Sequence, residues 1–164
     1  MRKFEISFLL FLLIFTLNFS VLAVEVGETL ADFEAQDLQG EIVKISDFRG
    51  QYVLYDAWAT WCGPCKKAMT AYVKNIDKFR EIGVKIVALS VDAKLKAPQK
   101  YVKENSIPFT VIHDKNKQAG KKWGVRGIPT MFLVDPEGNV VFKEVGFSHF
   151  SEVWEAITSE VEAE

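Results

Sequence analysis

The apolar run Tyr52-Val-Leu-Tyr-Asp-Ala-Trp58 reaches Cys62-Gly-Pro-Cys65 after only three residues. A run of this length and composition reads as a strand buried on both faces. Pro64 fits the first turn of a helix, where its missing N–H would have had no partner and its fixed φ stiffens the turn. A buried strand that passes at once into a helix is an α/β unit, and the helix must pack back onto the sheet.

The rest of the chain repeats this alternation. Residues 33–37 and 42–45 flank a Gln39-Gly40 turn and read as an N-terminal hairpin. Met69, Tyr72, Val73, Ile76 and Phe79 recur at helical spacing before Gly83, which predicts one helix opened by Cys62. Residues 84–91 and 109–112 have strand length. Pro98 suits the first turn of a helix ending near Asn105, and 115–123 reads as a short helix. Thr130–Val134 and Val140–Val145 are paired strands around the turn Asp135-Pro-Glu-Gly-Asn139. Ser151 is positioned to cap a final helix with Val153, Trp154, Ile157 and Val161 on its apolar face. The expected architecture is α/β, with a central mixed sheet flanked by helices on both faces and extended by the N-terminal hairpin.

Cys62 and Cys65 are the only cysteines among 164 residues. Three residues apart at a helix start, they share one face and can form and break a disulfide. Thiolate is the reactive form of cysteine, and a helix N-terminus favours negative charge. Cys62 is therefore expected to be the exposed, low-pKa attacker, with Lys66 and Lys67 adding positive field. Cys65, one turn inside, is the buried resolving thiol. An incoming disulfide would form a mixed disulfide on Cys62, which Cys65 would then resolve. Half of a zinc site is the first alternative, but there is no second CxxC, and His113 and His149 lie far apart in sequence. An inert structural bridge is the second, but closing so short a loop stabilises little. No metal is expected, and no cofactor beyond the redox pair itself.

Residues 1–23 form a separate segment. Arg2 and Lys3 precede a nearly continuous apolar stretch that ends in Val21-Leu22-Ala23, the pattern of a signal peptide cleaved after Ala23. An uncleaved membrane anchor is the alternative. Either places a single domain, 24–164, outside the cytoplasm, because the positive residues stay inside. No cysteine near residue 23 could carry a lipid. The formal net charge of −2 gives no footprint for nucleic acid.

The segment Val53-Leu-Tyr-Asp-Ala-Trp-Ala-Thr-Trp-Cys-Gly-Pro-Cys-Lys-Lys67 resembles the active site of the thioredoxin superfamily. Phe33-x-x-x-Asp37-Leu38-x-Gly40, Ser46-Asp-Phe-Arg-Gly50, Gly127-Ile-Pro-Thr130 and Phe132-Leu-Val-Asp135-x-x-Gly138 are similar to the TlpA/ResA-like branch of exported thiol–disulfide oxidoreductases. The similarity spans about residues 27–158 and implies a thioredoxin fold. It also implies a cis peptide bond before Pro129, with Ile128-Pro129 lying against the cysteines and presenting backbone to an extended substrate segment. Trp61, Gly63 and Pro64 complete the expected substrate surface, and Trp58 is expected in the core.

Asp56 lies six residues before Cys62, where thioredoxins keep a buried aspartate that takes the resolving thiol's proton. Its apolar neighbours predict burial and a raised pKa. A strand-end carboxylate satisfied by backbone donors is the bland alternative. The branch often carries Asn where Asp56 stands, Glu where Ala68 stands and Pro where Thr70 stands. Asp56, Gly63-Pro64 and Ile128 together look more like thioredoxin itself and favour a reductant. The resemblance implies cytochrome c maturation or general periplasmic thiol reduction, although Ala68 weighs against a cytochrome specialist. It implies a monomer acting on substrate proteins with disulfides or thiols and recharged by a membrane thiol protein. An oxidase or isomerase, a peroxidase and a non-enzymatic binding module are the rival functions.

Overall fold

The computed structural model describes residues 23–163, so the expected signal or anchor falls almost wholly outside the described residues. The central run forms β3 (Tyr52–Trp58), flanked by β4 (Val84–Ser90), β5 (Thr110–His113), β6 (Thr130–Val134) and β7 (Val140–Val145). The hairpin strands β1 (Glu34–Asp37) and β2 (Ile42–Lys44) join the same sheet. Asp37 caps their turn by accepting the N–H groups of Gln39 and Glu41, while Gly40 takes φ +93°. Seven strands run in the order β2-β1-β5-β4-β3-β6-β7. β3, β4 and β5 are parallel, and the outer pairings are antiparallel. This is the mixed sheet and fold expected from the sequence.

Alternation along β3 sorts its side chains between two cores. Leu54 and Trp58 face α1 (Gly63–Lys74), α2 (Ile76–Glu81) and the C-terminal helix, through Met69, Tyr72, Phe79, Val153 and Ile157. Tyr101, on α3 (Lys96–Glu104), packs on Trp58 from the same side, with ring centroids 5.0 Å apart. Val53 and Tyr55 face the opposite layer, built from Leu30, Phe33, Phe48, Trp123 and Phe132. Among the described residues that layer carries only the short α4 (Gln118–Lys122) and a 3-10 turn (Ile45–Phe48), so their helical cover is unequal.

Three local expectations are corrected. The predicted single helix breaks at Asn75, whose side-chain amide donates to the Ala71 carbonyl and whose φ of −118° leaves the helical region. The Asn side chain competes for a carbonyl of the last turn, and α2 starts afresh. The predicted helix 115–123 shrinks to α4 because the Asp114 carboxylate accepts the N–H groups of Gln118 and Ala119, which delays the start. The final helix, α5 (Phe150–Glu162), has His149 rather than Ser151 at its N-cap position, with no side-chain cap bond, which leaves Ser151 inside its first turn.

Candidate active site

The central strand β3 delivers the chain to the carboxyl end of the parallel strands, and Asp92 shapes the turn that leads on to the cysteines. Its carboxylate accepts the Thr60 N–H at 3.0 Å, the Thr60 hydroxyl at 2.8 Å and the Ser90 hydroxyl at 3.0 Å. His113 Nε2 lies 2.7 Å from the Asp92 carbonyl oxygen. A carbonyl only accepts, so Nε2 carries the proton. This buried network pins the turn that holds Trp61 and Cys62. In the sequence alone His113 is isolated, and Thr60 and Asp92 belong to no motif. The available signal is the position of Ser90-x-Asp92 at the carboxyl end of a parallel strand, where α/β sheets build their sites.

Cys62 caps α1, with extended φ and ψ of −86° and 115°, and its Sγ accepts the Cys65 N–H at 3.2 Å. The structure holds the oxidised pair, Cys62 bonded to Cys65. Cys65 is fully buried. Cys62 is only 6% exposed, less than the sequence leads one to expect, because it lies under the Ile128 carbonyl, 3.8 Å from its sulfur. Pro64 sits in the first turn of the helix, and Gly63 faces open space. Trp61 stands out of the surface at 69% exposure, while Trp58 is fully buried.

The Ile128–Pro129 peptide is cis, as the resemblance implies. Around it, the Gly127 carbonyl accepts the Thr130 hydroxyl and the Pro129 carbonyl accepts the Gly146 N–H. Among the described residues, Ile128 hydrogen-bonds to no other backbone group. A groove of about 310 Å³ opens beside it, with Trp61, Val91, Val125 and Ile128 as apolar walls and Lys117 and Arg126 at its rim. Trp61, Cys62, Gly63, Pro64, Ile128 and Pro129 thus meet at one end of the sheet.

Asp56 stands apart from that surface. It shares the face of β3 that α1 covers, the helix that carries Cys65. It is fully buried, and neither carboxyl oxygen has a hydrogen-bond partner. Burial pushes its pKa up to about 8, only partly offset by the nearby Tyr72 hydroxyl. In the sequence Tyr72 reads as a packing residue only. Among the described residues, no cluster of three His, Cys, Asp or Glu side chains could hold a metal ion.

A buried cysteine pair at a helix N-terminus, a cis-proline loop over it and a buried carboxyl of raised pKa under the same helix make an arrangement for thiol–disulfide exchange. Comparison with known proteins agrees. The sequence profile of the AhpC/TSA family matches residues 26–143. The thiol-disulfide oxidoreductase ResA of Bacillus thuringiensis subsp. konkukian is 36% identical over 118 residues, 72% of this chain and 68% of that protein. The ResA of Bacillus subtilis is 33% identical over 119 residues, 73% of this chain and 66% of that protein. The thioredoxin domain of a thiol-disulfide oxidoreductase from Bacteroides vulgatus superposes with a TM-score of 0.75 at 27% identity, covering 85% of this chain and 99% of that domain.

Proposed function

Since this chain belongs to the AhpC/TSA family of the thioredoxin superfamily and is a thiol–disulfide oxidoreductase, we propose that it reduces disulfides of partner proteins outside the cytoplasm. The observation that carries this reading is the position of Cys62 Sγ. It sits between the helix-terminal Cys65 amide at 3.2 Å and the open Ile128 backbone, whose carbonyl is 3.8 Å away. The first stabilises a thiolate; the second brings a substrate strand to it.

In the dithiol form, the Cys62 thiolate attacks one sulfur of the substrate disulfide. That S–S bond breaks as the Cys62–substrate bond forms, and the leaving sulfur takes a proton. Asp56 accepts the Cys65 proton. The Cys65 thiolate attacks Cys62 Sγ, closes the Cys62–Cys65 disulfide and expels the second substrate thiolate. The substrate gains two electrons and the enzyme loses them. A membrane thiol protein then restores the dithiol, since an oxidising compartment does not.

Residues 1–23 serve as the export signal or anchor, and 24–164 as the working domain. Ala68 in place of an acidic residue beside the thiols favours general thiol reduction over a cytochrome c specialist. The Cys65→Ala variant tests this reading. It should accumulate partner proteins disulfide-bonded to Cys62 in the exported fraction, and a redox titration of the parent should give a reducing couple. A strongly oxidising potential, or partners captured only in the cytoplasm, would overturn it.

A further inference from the structure

Asp56 is paired in register with Ala88 on β4 and with Met131 on β6, and Met131 in turn pairs with Glu144 on β7. Directly opposite residues of a sheet project to the same face. Here that face is covered by α1, which brings Cys65 and, two turns later, Tyr72. The strand row beside Asp56 therefore carries an alanine methyl and a thioether, and the helix over that face carries one phenol and Cys65. Among the described residues no Lys or Arg bears on it, and Glu144 bears on Tyr72 from the edge strand.

Tyr72 is fully buried, and its hydroxyl donates to Met131 Sδ at 2.9 Å. That partner is a poor acceptor. Met131 is the cross-strand neighbour of Asp56, so the hydroxyl that donates to it lies beside the Asp56 carboxyl and is placed to donate to that group once it ionises. A hydroxyl hydrogen rotates freely about its C–O bond, and an ionised carboxylate is a far stronger acceptor than a thioether. The two neighbours of one hydrogen thus compete, and the charge on Asp56 decides which one wins.

We propose that Tyr72 is a positioning residue whose hydroxyl hydrogen moves from Met131 Sδ to the Asp56 carboxylate as that carboxylate ionises, so that Tyr72 and Met131 together set the pH at which Asp56 can take the Cys65 proton. The step moves one proton from Cys65 to Asp56 and turns one hydroxyl; no covalent bond of Tyr72 or Met131 changes. This rests on the role given to Asp56 above, but the titration of Asp56 itself does not.

Two substitutions push in opposite directions. Tyr72→Phe removes the donor and leaves the ionised carboxylate without a partner. Met131→Leu conserves volume, removes the competing acceptor and frees the hydroxyl for Asp56. The carboxyl of Asp56 is followed directly, by carbon-13 NMR of the oxidised full chain against Asp56→Asn. Its midpoint should rise by about one pH unit in Tyr72→Phe and fall in Met131→Leu. The pH profile for resolution of a mixed disulfide should move with it, upward in the first variant and downward in the second, with the high-pH plateau retained. An unmoved midpoint in Tyr72→Phe, or shifts of the same sign in both variants, overturns the inference. Midpoints that move as stated while the resolution profile stays fixed would instead remove Asp56 from the proton transfer and leave the Tyr72 assignment standing.

Discussion

The amide N–H of Cys65 points at Cys62 Sγ across 3.2 Å, so Cys65 donates to Cys62 through the first turn of α1. The bond is charge-assisted only when Cys62 is a thiolate, which it then favours over the thiol. In the reduced protein Cys62 should titrate below the ordinary cysteine value of about 8.5. Iodoacetamide labelling across pH, read by mass spectrometry, should show Cys62 alkylated first with a midpoint under that value and Cys65 protected. Equal labelling of the two would contradict the assignment.

Asp56 makes stability depend on pH. Its pKa rises from 3.8 to about 8 on folding, so the folded state holds a proton that the unfolded state releases between those values. Stability is fully present below about pH 4, falls as pH climbs toward 8 and is flat beyond. Asp56→Asn removes that dependence. It should gain at most about 4 kcal/mol over the parent at pH 7 and little at pH 4. Urea unfolding of the two oxidised proteins at both pH values measures the difference. The same substitution should slow mixed-disulfide resolution by about 10²-fold, the scale of a lost general base.

Trp61 is 69% exposed beside the groove, so it contributes little to the core. Trp61→Ala should leave stability within about 0.5 kcal/mol of the parent. With a protein disulfide substrate it should raise KM several-fold while kcat changes little, the signature of lost uniform binding. Steady-state kinetics and thermal unfolding together check both halves.

Asp92 holds the turn before the cysteines through Thr60 and Ser90. Asp92→Ala strands the buried Ser90 hydroxyl and the half-buried Thr60 donors and should cost about 1–3 kcal/mol. Because that turn fixes Cys62, activity should fall together with the melting temperature. Thr60→Val removes one of the three bonds and should give a smaller loss of both. An Asp92→Ala protein with the parent's melting temperature would show that the network does not support the site.

Much of this protein is legible in its sequence because the determining signals are local. The run Tyr52–Trp58 sets its strand by length and apolarity, and Cys62-Gly-Pro-Cys65 sets both the helix start and the redox chemistry. Asp56 announces its burial through its own neighbours in the run. Local signals fail where a side chain competes with the backbone, as Asn75 and Asp114 do at the ends of helices.

Which distant residues meet is settled only by the folded chain. Ile128 reaches Cys62 across 66 positions, and Tyr72 meets Met131 across 59. Neither spacing carries a periodic signal. The parallel crossover from β4 to β5 brings His113 to Asp92, and the register of β3, β6 and β7 sets Asp56, Met131 and Glu144 in one row. A sequence fixes the faces of its strands through their alternation, but the partners on each face depend on how the strands are ordered in the sheet. The chemistry of the cysteine pair was therefore written locally, and the environment that tunes it was assembled only by the fold.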